Sequence, residues 1–306
     1  MSKLRDALTV LCIGAFLITG AAAACVENKD PKESVQSLRA KSPTLRDKVR
    51  LRIGVRETLP FLSYRDPSTG IRSGFEVELA RGIASDLGFT EEKIDWVPVT
   101  DVQSRMHVLQ ANQADIVVAS LTMAPDRPVD FAGPYLVMPQ AILVHKQRTK
   151  RVESIADLKA PDFKTCVGIS STSAKALEAK GIKPELVNDG LMCIDGMTSN
   201  KYDAYSSDLQ VLASVLARDP DKFEILKLLV SDAEERIGVA VPQGDTALRD
   251  LVAYFLNRWL IGPQPSPWMR AYDRTIGPHL EAKYRSQPRV DKPPVLVDYD
   301  SKAQPR

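Results

Sequence analysis

Strand-like and helix-like runs alternate along most of the chain, and this alternation constrains the fold more than any other feature of the sequence. Residues 51–55 alternate in polarity and include β-branched side chains, which predicts a strand. Apolar residues at helical spacing follow at 75–87. Strand, helix and strand patterns then cover 94–99, 102–112 and 115–119. A β-α-β-α-β order indicates parallel strands joined by helical crossovers.

A second α/β unit follows the first. An apolar strand pattern at 140–145 precedes a new alternation of short strands and helices over 165–229. A strand pattern at 236–241 and an amphipathic helix at 248–260 then indicate that the chain returns to the first unit. Two α/β lobes with two crossings between them predict a cleft, which is a common place for a small-molecule site.

The first 24 residues have the layout of a secretory signal peptide. Basic residues come first, an uncharged run covers 7–24, and four alanines precede Cys25. The alternative is a transmembrane anchor, since a run of this length is at the lower limit for crossing a bilayer. The small residues before Cys25 resemble a bacterial lipobox, so we expect lipidation of this cysteine. We predict a signal peptide at 1–24 and a polar tether at 25–49 that holds an exported body at the outer face of the cell membrane.

Two cysteines remain in the body, Cys166 and Cys193. An even pair in an exported domain favours a disulfide between them. Such a bond would contribute about 3–4 kcal/mol through loop entropy. The alternative is a pair of buried free thiols.

Composition excludes several classes of function. The 306 residues include 41 Lys and Arg against 39 Asp and Glu, a net charge of +2, which argues against a dedicated nucleic-acid binder. Three histidines leave little material for a metal site. The motifs HExxH, CxxC, GxxxxGK[ST] and GxSxG are all absent from the sequence. We therefore expect neither a metal nor another cofactor.

The order of several short motifs resembles that of the type 2 periplasmic solute-binding proteins of ABC transporters, in the polar amino-acid subfamily. The motifs are Gly54–Glu57, Gly74–Leu79, Ala114–Ala119, Ser120–Arg127, Gly133–Tyr135, Ser171–Ser173 and Tyr202–Asp208. The resemblance covers roughly residues 51–283. It implies two Rossmann-like α/β lobes joined by a two-strand hinge, the type II periplasmic-binding-protein fold, with the ligand cleft between the lobes.

Lobe boundaries follow from this resemblance. We assign residues 50–144 together with 238–285 to lobe 1, and residues 145–237 to lobe 2. The hinge is expected in the connecting strands near 142–145 and 238–241. The proline-rich tail, residues 286–306, is expected to lie outside the core.

The resemblance also implies which residues bind the ligand. In similar proteins, the arginine that corresponds to Arg127 clamps the ligand α-carboxylate, and a carboxylate at the position of Asp208 meets the ammonium group. Ser120, Thr122 and Thr172 would add hydroxyl and helix-end donors. This set fits the chemistry, because burying either charge of an amino acid unpaired costs several kcal/mol. The alternatives are a surface arginine at 127 and a simple helix N-cap at Asp208.

Two further arginines bear on the ligand side chain. Arg56 and Arg105 resemble the arginines that meet the side-chain carboxylate in glutamate- and aspartate-binding members. Two guanidinium groups at the distal end favour an acidic side chain over an amide, because a neutral amide leaves charged donors poorly matched. The alternatives are a rim charge at Arg56 and a solvated helix residue at Arg105, with glutamine or asparagine as the ligand.

Three classes of function are compatible with these residues. The first is a lipid-anchored binding protein that delivers an amino acid to an ABC permease and its ATPase. The second is an amino-acid sensor that signals to a membrane partner. The third is an enzyme on the same fold, which needs a general acid such as Glu57 or Glu76. A carboxylate beside Arg56 tends to stay ionised and is then a poor acid, so we favour the first class.

Overall fold

The computed structural model describes residues 33–148, 150–228, 230–231 and 233–298. The predicted signal peptide, Cys25 and the first part of the tether lie outside the described residues. The strands are β1 (Leu51–Val55), β2 (Thr58–Leu59), β3 (Ser63–Arg65), β4 (Arg72–Ser73), β5 (Ile94–Pro98), β6 (Ile116–Thr122), β7 (Asp130–Met138), β8 (Gln140–His145), β9 (Thr165–Gly168), β10 (Glu185–Val187), β11 (Ala204–Asp208), β12 (Phe223–Leu226) and β13 (Glu235–Val241). The helices are α1 (Val35–Lys41), α2 (Phe75–Asp86), α3 (Val102–Gln110), α4 (Thr172–Ala179), α5 (Met192–Thr198), α6 (Leu209–Arg218), α7 (Thr246–Ile261) and α8 (Pro267–Arg274), with 3₁₀ turns at Glu91–Lys93, Ile155–Lys159, Gly277–His279 and Ala282–Tyr284.

Two five-stranded sheets form the centres of the two lobes. In lobe 1 the order is β5-β1-β6-β13-β7, and β1 pairs in parallel with both β5 and β6. In lobe 2 the order is β10-β9-β11-β8-β12, and β9 pairs in parallel with β10 and β11. In each lobe, the strand that enters from the other lobe is antiparallel to its neighbours. Strand β8 pairs in this way with β11 and β12 in lobe 2, and β13 with β6 and β7 in lobe 1. The predicted fold of two α/β lobes is confirmed.

Helix α2 shows how the sequence pattern produces the packing. Phe75, Leu79 and Ile83 are spaced by one turn, and all three are buried against lobe 1. Burying each contributes about 1.5–3 kcal/mol. Phe75 packs edge-on against Trp268 of α8, whose indole N–H donates to the carbonyl of Tyr135 at 2.8 Å. This packing fixes the first turn of α2 relative to β7.

The lobe boundaries differ from those predicted. Strand β8 lies wholly in the lobe 2 sheet, where Val144 is the register partner of Ala204, so residues 140–144 do not belong to lobe 1. Strand β13 lies in the lobe 1 sheet from Glu235 onward, so residues 235–237 do not belong to lobe 2. The crossings therefore lie at Pro139 and between β12 and β13, and the hinge is not at 142–145 or 238–241. An apolar strand fits the core of either sheet, and only the pairing decides between them.

The segment from Glu33 to Val49 does not form the tether that the sequence predicts. Helix α1 packs on α7, and Leu45 after it is completely buried. The Ser42 hydroxyl donates to Asp245 Oδ2 at 2.7 Å, at the start of α7. Two well-placed leucines, Leu38 and Leu45, therefore attach an otherwise polar segment to lobe 1.

The described part of the C-terminal tail also packs on lobe 1, contrary to prediction. Val290 is buried, and the N–H of Asp291 donates to the carbonyl of Gly133 at 2.7 Å. Val297 forms a parallel bridge with Ser34. The two terminal segments therefore meet, and together they cover α7.

The predicted disulfide is present in lobe 2. Cys166 of β9 is bonded to Cys193 of α5, and both residues are fully buried. The bond ties α5, which follows the loop at 188–191, to β9, a strand that pairs with both β10 and β11. Among the described residues, no helix is both long and apolar enough to cross a membrane.

Candidate functional site

A cavity between the two lobes brings together all seven residues that the sequence predicts as ligand contacts. Lobe 1 contributes Arg56, Arg105, Ser120, Thr122 and Arg127, and lobe 2 contributes Thr172 and Asp208.

Strand ends place these side chains at the cleft. Arg56 directly follows β1, Thr122 ends β6 and Asp208 ends β11. Thr172 begins α4, the helix that follows β9. Carboxyl ends of neighbouring parallel strands converge on the crevice of an α/β sheet, so residues far apart in sequence meet there. The two lobes present such edges to each other.

Arg127 is held at the cavity by the backbone. Its Nη1 donates to the carbonyl of Thr122 at 2.7 Å. Burial lowers the pKa of Arg127, whereas the carboxylates of Asp208 and Glu235 act in the opposite direction. A half-buried guanidinium with one nitrogen fixed in this way leaves further N–H groups for a bidentate carboxylate contact.

Arg105 is not the solvated helix residue of the alternative. It is only 7% exposed, and its Nη1 donates to the carbonyl of Ser120 at 3.0 Å. Burial lowers the pKa of Arg105 to about 10, and repulsion from Arg56 adds to this effect. Its Nε is buried without a hydrogen-bond partner among the described residues.

Arg56 is not a rim charge either. It is 4% exposed, and its Nη2 lies 3.6 Å from Asp189 Oδ1 of lobe 2. The two groups therefore form an ion pair across the cleft, but the distance between them is too long for a hydrogen bond. The Nε of Arg56 is buried, with no hydrogen-bond partner in the described parts of the chain. Both arginines thus have donor capacity left at the cavity.

Asp208 occupies the N-cap position of α6, but its side chain makes no capping hydrogen bond. It is 8% exposed. The pKa of Asp208 is raised to about 7, mainly by burial and secondly by Glu235, against the lowering effect of Arg105, Arg127 and Arg56. A buried carboxylate that does not cap its helix is suited to bind a cation.

Ser120 has an unusual conformation that the sequence did not predict. Its φ of 46° lies in the left-handed region, which costs about 1–3 kcal/mol for a residue other than glycine. Both its backbone N–H and its hydroxyl donate to Glu76 Oε1, at 2.7 and 2.8 Å. Glu76 thus stabilises the strained residue from the interior of lobe 1.

The two carboxylates considered as general acids do not line the cavity. Glu57 forms an ion pair with Arg72. Glu76 is completely buried behind Ser120. The expectation that Arg56 keeps such a carboxylate ionised holds only in part. Arg56 lowers the pKa of Glu76, but burial is the larger effect and raises it.

Gln140 does not line the cavity but supports Thr172, which does, and sequence reasoning missed it. It is fully buried at the hinge, and its Nε2 donates to Thr172 Oγ1 at 3.2 Å and to Glu235 Oε1 at 2.8 Å. Gln140 starts the first strand of lobe 2 after the hinge, and Glu235 starts the strand that returns to lobe 1. The amide therefore connects both crossings to the helix end that carries Thr172. Its place directly after Pro139 gave no signal for this role.

Direct contacts hold the lobes together around the cavity. The Gln103 side chain donates to Ser170 Oγ at 2.8 Å, and Lys175 forms an ion pair with Asp126. The Ser214 hydroxyl donates to the carbonyl of Pro60 at 2.6 Å. The structure is therefore a closed arrangement of the lobes. In the described part of the chain no cluster of His, Cys, Asp and Glu could hold a metal ion.

Comparison with known proteins assigns the chain to a family. The model of the bacterial extracellular solute-binding proteins, family 3, matches residues 51–260. The glutamate-binding protein GluB of Corynebacterium efficiens is 25% identical over 218 residues, which cover 67% of this chain and 72% of that protein. The ABC transporter glutamine-binding protein GlnH of Bacillus subtilis is 25% identical over 249 residues, covering 80% of this chain and 89% of that protein.

A solved structure agrees with these relatives. The crystal structure of the ancestral amino acid-binding protein AncCDT-1, a precursor of cyclohexadienyl dehydratase, superposes with a TM-score of 0.62 at 28% identity. The superposition covers 74% of this chain and 95% of the AncCDT-1 chain. Both terminal segments that pack on α7 lie outside the family match. Because the family model spans more than half of the sequence, the chain belongs to the bacterial extracellular solute-binding proteins of family 3.

Proposed function

We propose that the protein captures an acidic amino acid, glutamate or aspartate, outside the cytoplasm for an ABC importer. One observation carries the proposal. Three arginines line the same cavity between the lobes as the carboxylate of Asp208, which makes no capping hydrogen bond to its own helix. An acidic amino acid brings two carboxylates and one ammonium group. Each ligand charge then meets a protein charge of opposite sign in a site that excludes most water.

Each end of the ligand has a matching group. The α-carboxylate is assigned to Arg127, with the hydroxyls of Thr122 and Thr172 beside it. The ammonium group is assigned to Asp208, and the side-chain carboxylate to the arginine pair, Arg56 and Arg105. A glutamine ligand would put an uncharged amide against that pair, which leaves buried charged donors poorly matched.

Ligand binding would also stabilise the closed arrangement. Arg127 belongs to lobe 1 and Asp208 to lobe 2, so one amino acid bridges both lobes. A ligand shifts a conformational equilibrium only by its differential affinity for the two states, and these two contacts exist together only when the lobes are closed. The expected partner is an ABC permease with its ATPase, in keeping with the name of the related GlnH.

Isothermal titration of the purified protein with glutamate, aspartate, glutamine and asparagine tests the ligand. Glutamate or aspartate should bind most tightly. R127A should weaken the binding of every amino acid by a factor of about 30 or more, since losing one partner of a buried charge pair costs about 2–5 kcal/mol. R56A should reduce only the preference for the acidic ligands. R46A, at a side chain that is 65% exposed, is the control.

Two results would contradict the proposal. Tighter binding of glutamine or of a basic amino acid would refute the side-chain assignment but leave the clamp at Arg127 intact. Failure of every amino acid to bind would refute the ligand class. Transport is separated from sensing by the uptake of labelled ligand in cells that lack the protein: reduced uptake supports the importer, and unchanged uptake with altered signalling supports the sensor.

We further propose that the protein performs no chemistry on its ligand. The position of Glu57 and Glu76 outside the cavity supports this, although Asp208 has a pKa near neutrality. Mass spectrometry of the amino acid after long incubation checks it, and any product that D208N fails to form would establish an enzyme.

The membrane anchor is proposed from the sequence alone. Cleavage before Cys25 would leave this residue to carry the lipid. Labelling of cells with a radioactive fatty acid should mark the protein, and C25A should abolish the label. An unlabelled protein in the membrane fraction would instead support an uncleaved anchor at 7–24.

A further inference from the structure

Glu76 lies behind the cavity wall and is oriented by three hydrogen bonds. It belongs to the first turn of α2 and is completely buried. Its Oε1 accepts from the hydroxyl of Tyr135 at 2.6 Å, in addition to the two bonds from Ser120. The carboxyl group is therefore fixed in one orientation beneath Ser120, which itself lines the cavity.

The other oxygen of Glu76 is without a hydrogen bond and lies in the field of two arginines. Oε2 is buried with no partner among the described residues, as are the Nε atoms of Arg56 and Arg105. The charges nevertheless interact. Ser120 lies between Arg105 and Glu76, since its carbonyl accepts from Arg105 Nη1 while its N–H and hydroxyl donate to Glu76. Accordingly, Glu76 raises the pKa of Arg105, and although burial raises the pKa of Glu76, Arg56 acts to lower it. Glu76 therefore acts on both arginines without being bonded to either.

These two arginines are the pair assigned to the ligand side chain. A ligand carboxylate placed on them would share their positive charge with Glu76. Two carboxylates that share one site repel each other. An uncharged amide does not experience this repulsion. The charge of Glu76 consequently acts against glutamate and aspartate more than against glutamine and asparagine.

We propose that Glu76 determines ligand specificity from behind the cavity, as a built-in counter-ion of Arg56 and Arg105 that limits the preference for acidic over amide side chains. With Glu76 ionised, part of the positive charge of Arg56 and Arg105 is already neutralised before a ligand carboxylate reaches them. This inference rests on the proposed function and adds the residue that sets the degree of discrimination.

The E76Q variant tests the role of the charge. Glutamine has almost the same shape, and its carbonyl oxygen can still accept from Tyr135 and Ser120. The measured quantity is the ratio of the dissociation constants for glutamine and glutamate, obtained by titration calorimetry. Removal of the Glu76 charge should raise this ratio about tenfold or more, since a unit charge within about 12 Å of the ligand carboxylate contributes at least about 1.4 kcal/mol at an effective dielectric constant of about 20.

E78Q is the matched control. Glu78 lies in the same turn of α2 but forms an ion pair with Arg274 on the surface. Its replacement should leave the ratio unchanged. If E76Q fails to fold, Y135F keeps the question open to experiment, because loss of one donor to Glu76 favours its protonated form and should raise the ratio in the same direction.

The outcomes separate this inference from the function on which it rests. A purely structural role of Glu76 would weaken both ligands equally, and an unchanged ratio in E76Q and Y135F would overturn the inference while leaving the proposed function intact. A wild-type protein that binds no amino acid would overturn both. A wild type that prefers glutamine would refute the acidic ligand, but E76Q should still shift the ratio towards glutamate.

Discussion

Stability should fall with rising pH because of Asp208, and D208N should remove this dependence. The pKa of Asp208 is raised from 3.8 to about 7 by burial. Between these values the folded protein binds a proton that the unfolded chain has lost. The free energy of unfolding therefore decreases as the pH rises through this window, and the loss is complete above the pKa of the folded state.

The magnitude follows from the same two pKa values. The single-site linkage relation gives a loss of about 2.5 kcal/mol between pH 5 and pH 8 from this group alone. The total cost of the ionised carboxylate above pH 7 is about 4 kcal/mol, from a shift of about three units at about 1.4 kcal/mol each. The asparagine of D208N is nearly isosteric with aspartate and carries no charge at any pH. The variant should therefore show neither the loss between pH 5 and pH 8 nor the total cost above pH 7.

Urea unfolding at pH 5 and pH 8, without ligand, measures the effect. The stability difference between D208N and the wild type should shift by about 2.5 kcal/mol in favour of the variant between the two pH values. D47N is the control, since the Asp47 side chain is 94% exposed. A D208N difference that does not change with pH would refute the reasoning, because it would mean that the carboxylate is already ionised at pH 5.

Three further predictions concern the ligand and the scaffold. An amino acid whose ammonium group meets Asp208 should release a proton on binding, so its affinity should fall about tenfold per unit below pH 7; calorimetry in buffers of different ionisation enthalpy detects the proton. Replacing Cys166 and Cys193 by serine should lower the free energy of unfolding by about 3–4 kcal/mol, since the bond closes a loop with a sequence separation of 27. L45A should cost about 2–5 kcal/mol by chemical denaturation, and an unchanged stability would mean that residues 33–49 are a tether after all.

The two-lobe fold was predictable because each strand and helix has its own local pattern of apolar residues. The parallel strands β1, β5 and β6 and the helices between them each carry their own apolar pattern. The lobe boundary was not predictable in the same way. Strand β8 is apolar along its length and would satisfy either sheet. Its partners, β11 and β12, come more than fifty residues later in the chain.

The terminal segments illustrate a second limit of sequence patterns. Leu38, Leu45 and Val290 are isolated apolar residues in polar or proline-rich surroundings. Their burial depends on a surface of lobe 1 that is left uncovered by the rest of the fold. Local composition therefore predicted solvated segments, whereas tertiary packing made them part of lobe 1.

Motif order predicted which residues surround the cavity, but not how they are supported. Glu76 and Ser120 are 44 positions apart, and Gln140 and Glu235 are 95 apart. Hydrogen bonds between such pairs leave no periodic pattern. Glu76 was noticed only as a candidate acid, and the observation that gives it a different role, a fully buried carboxyl with one unbonded oxygen, exists only in three dimensions.

The charges of the cavity connect ligand binding to lobe closure. In the closed arrangement the pKa of Asp208 is raised to about 7 and that of Arg105 is lowered to about 10, both mainly by burial. Each shift means that burial in this site disfavours the charged form of the group. Opening the lobes would return water to both, so the open state carries less of this penalty. A ligand whose charges are opposite to those of Asp208 and Arg105 offsets the cost of burying these charges. It can do so only in the closed state, where that cost is present. The same buried charges that destabilise the closed protein therefore make the ligand bind that state more tightly, which is the differential affinity that closure requires.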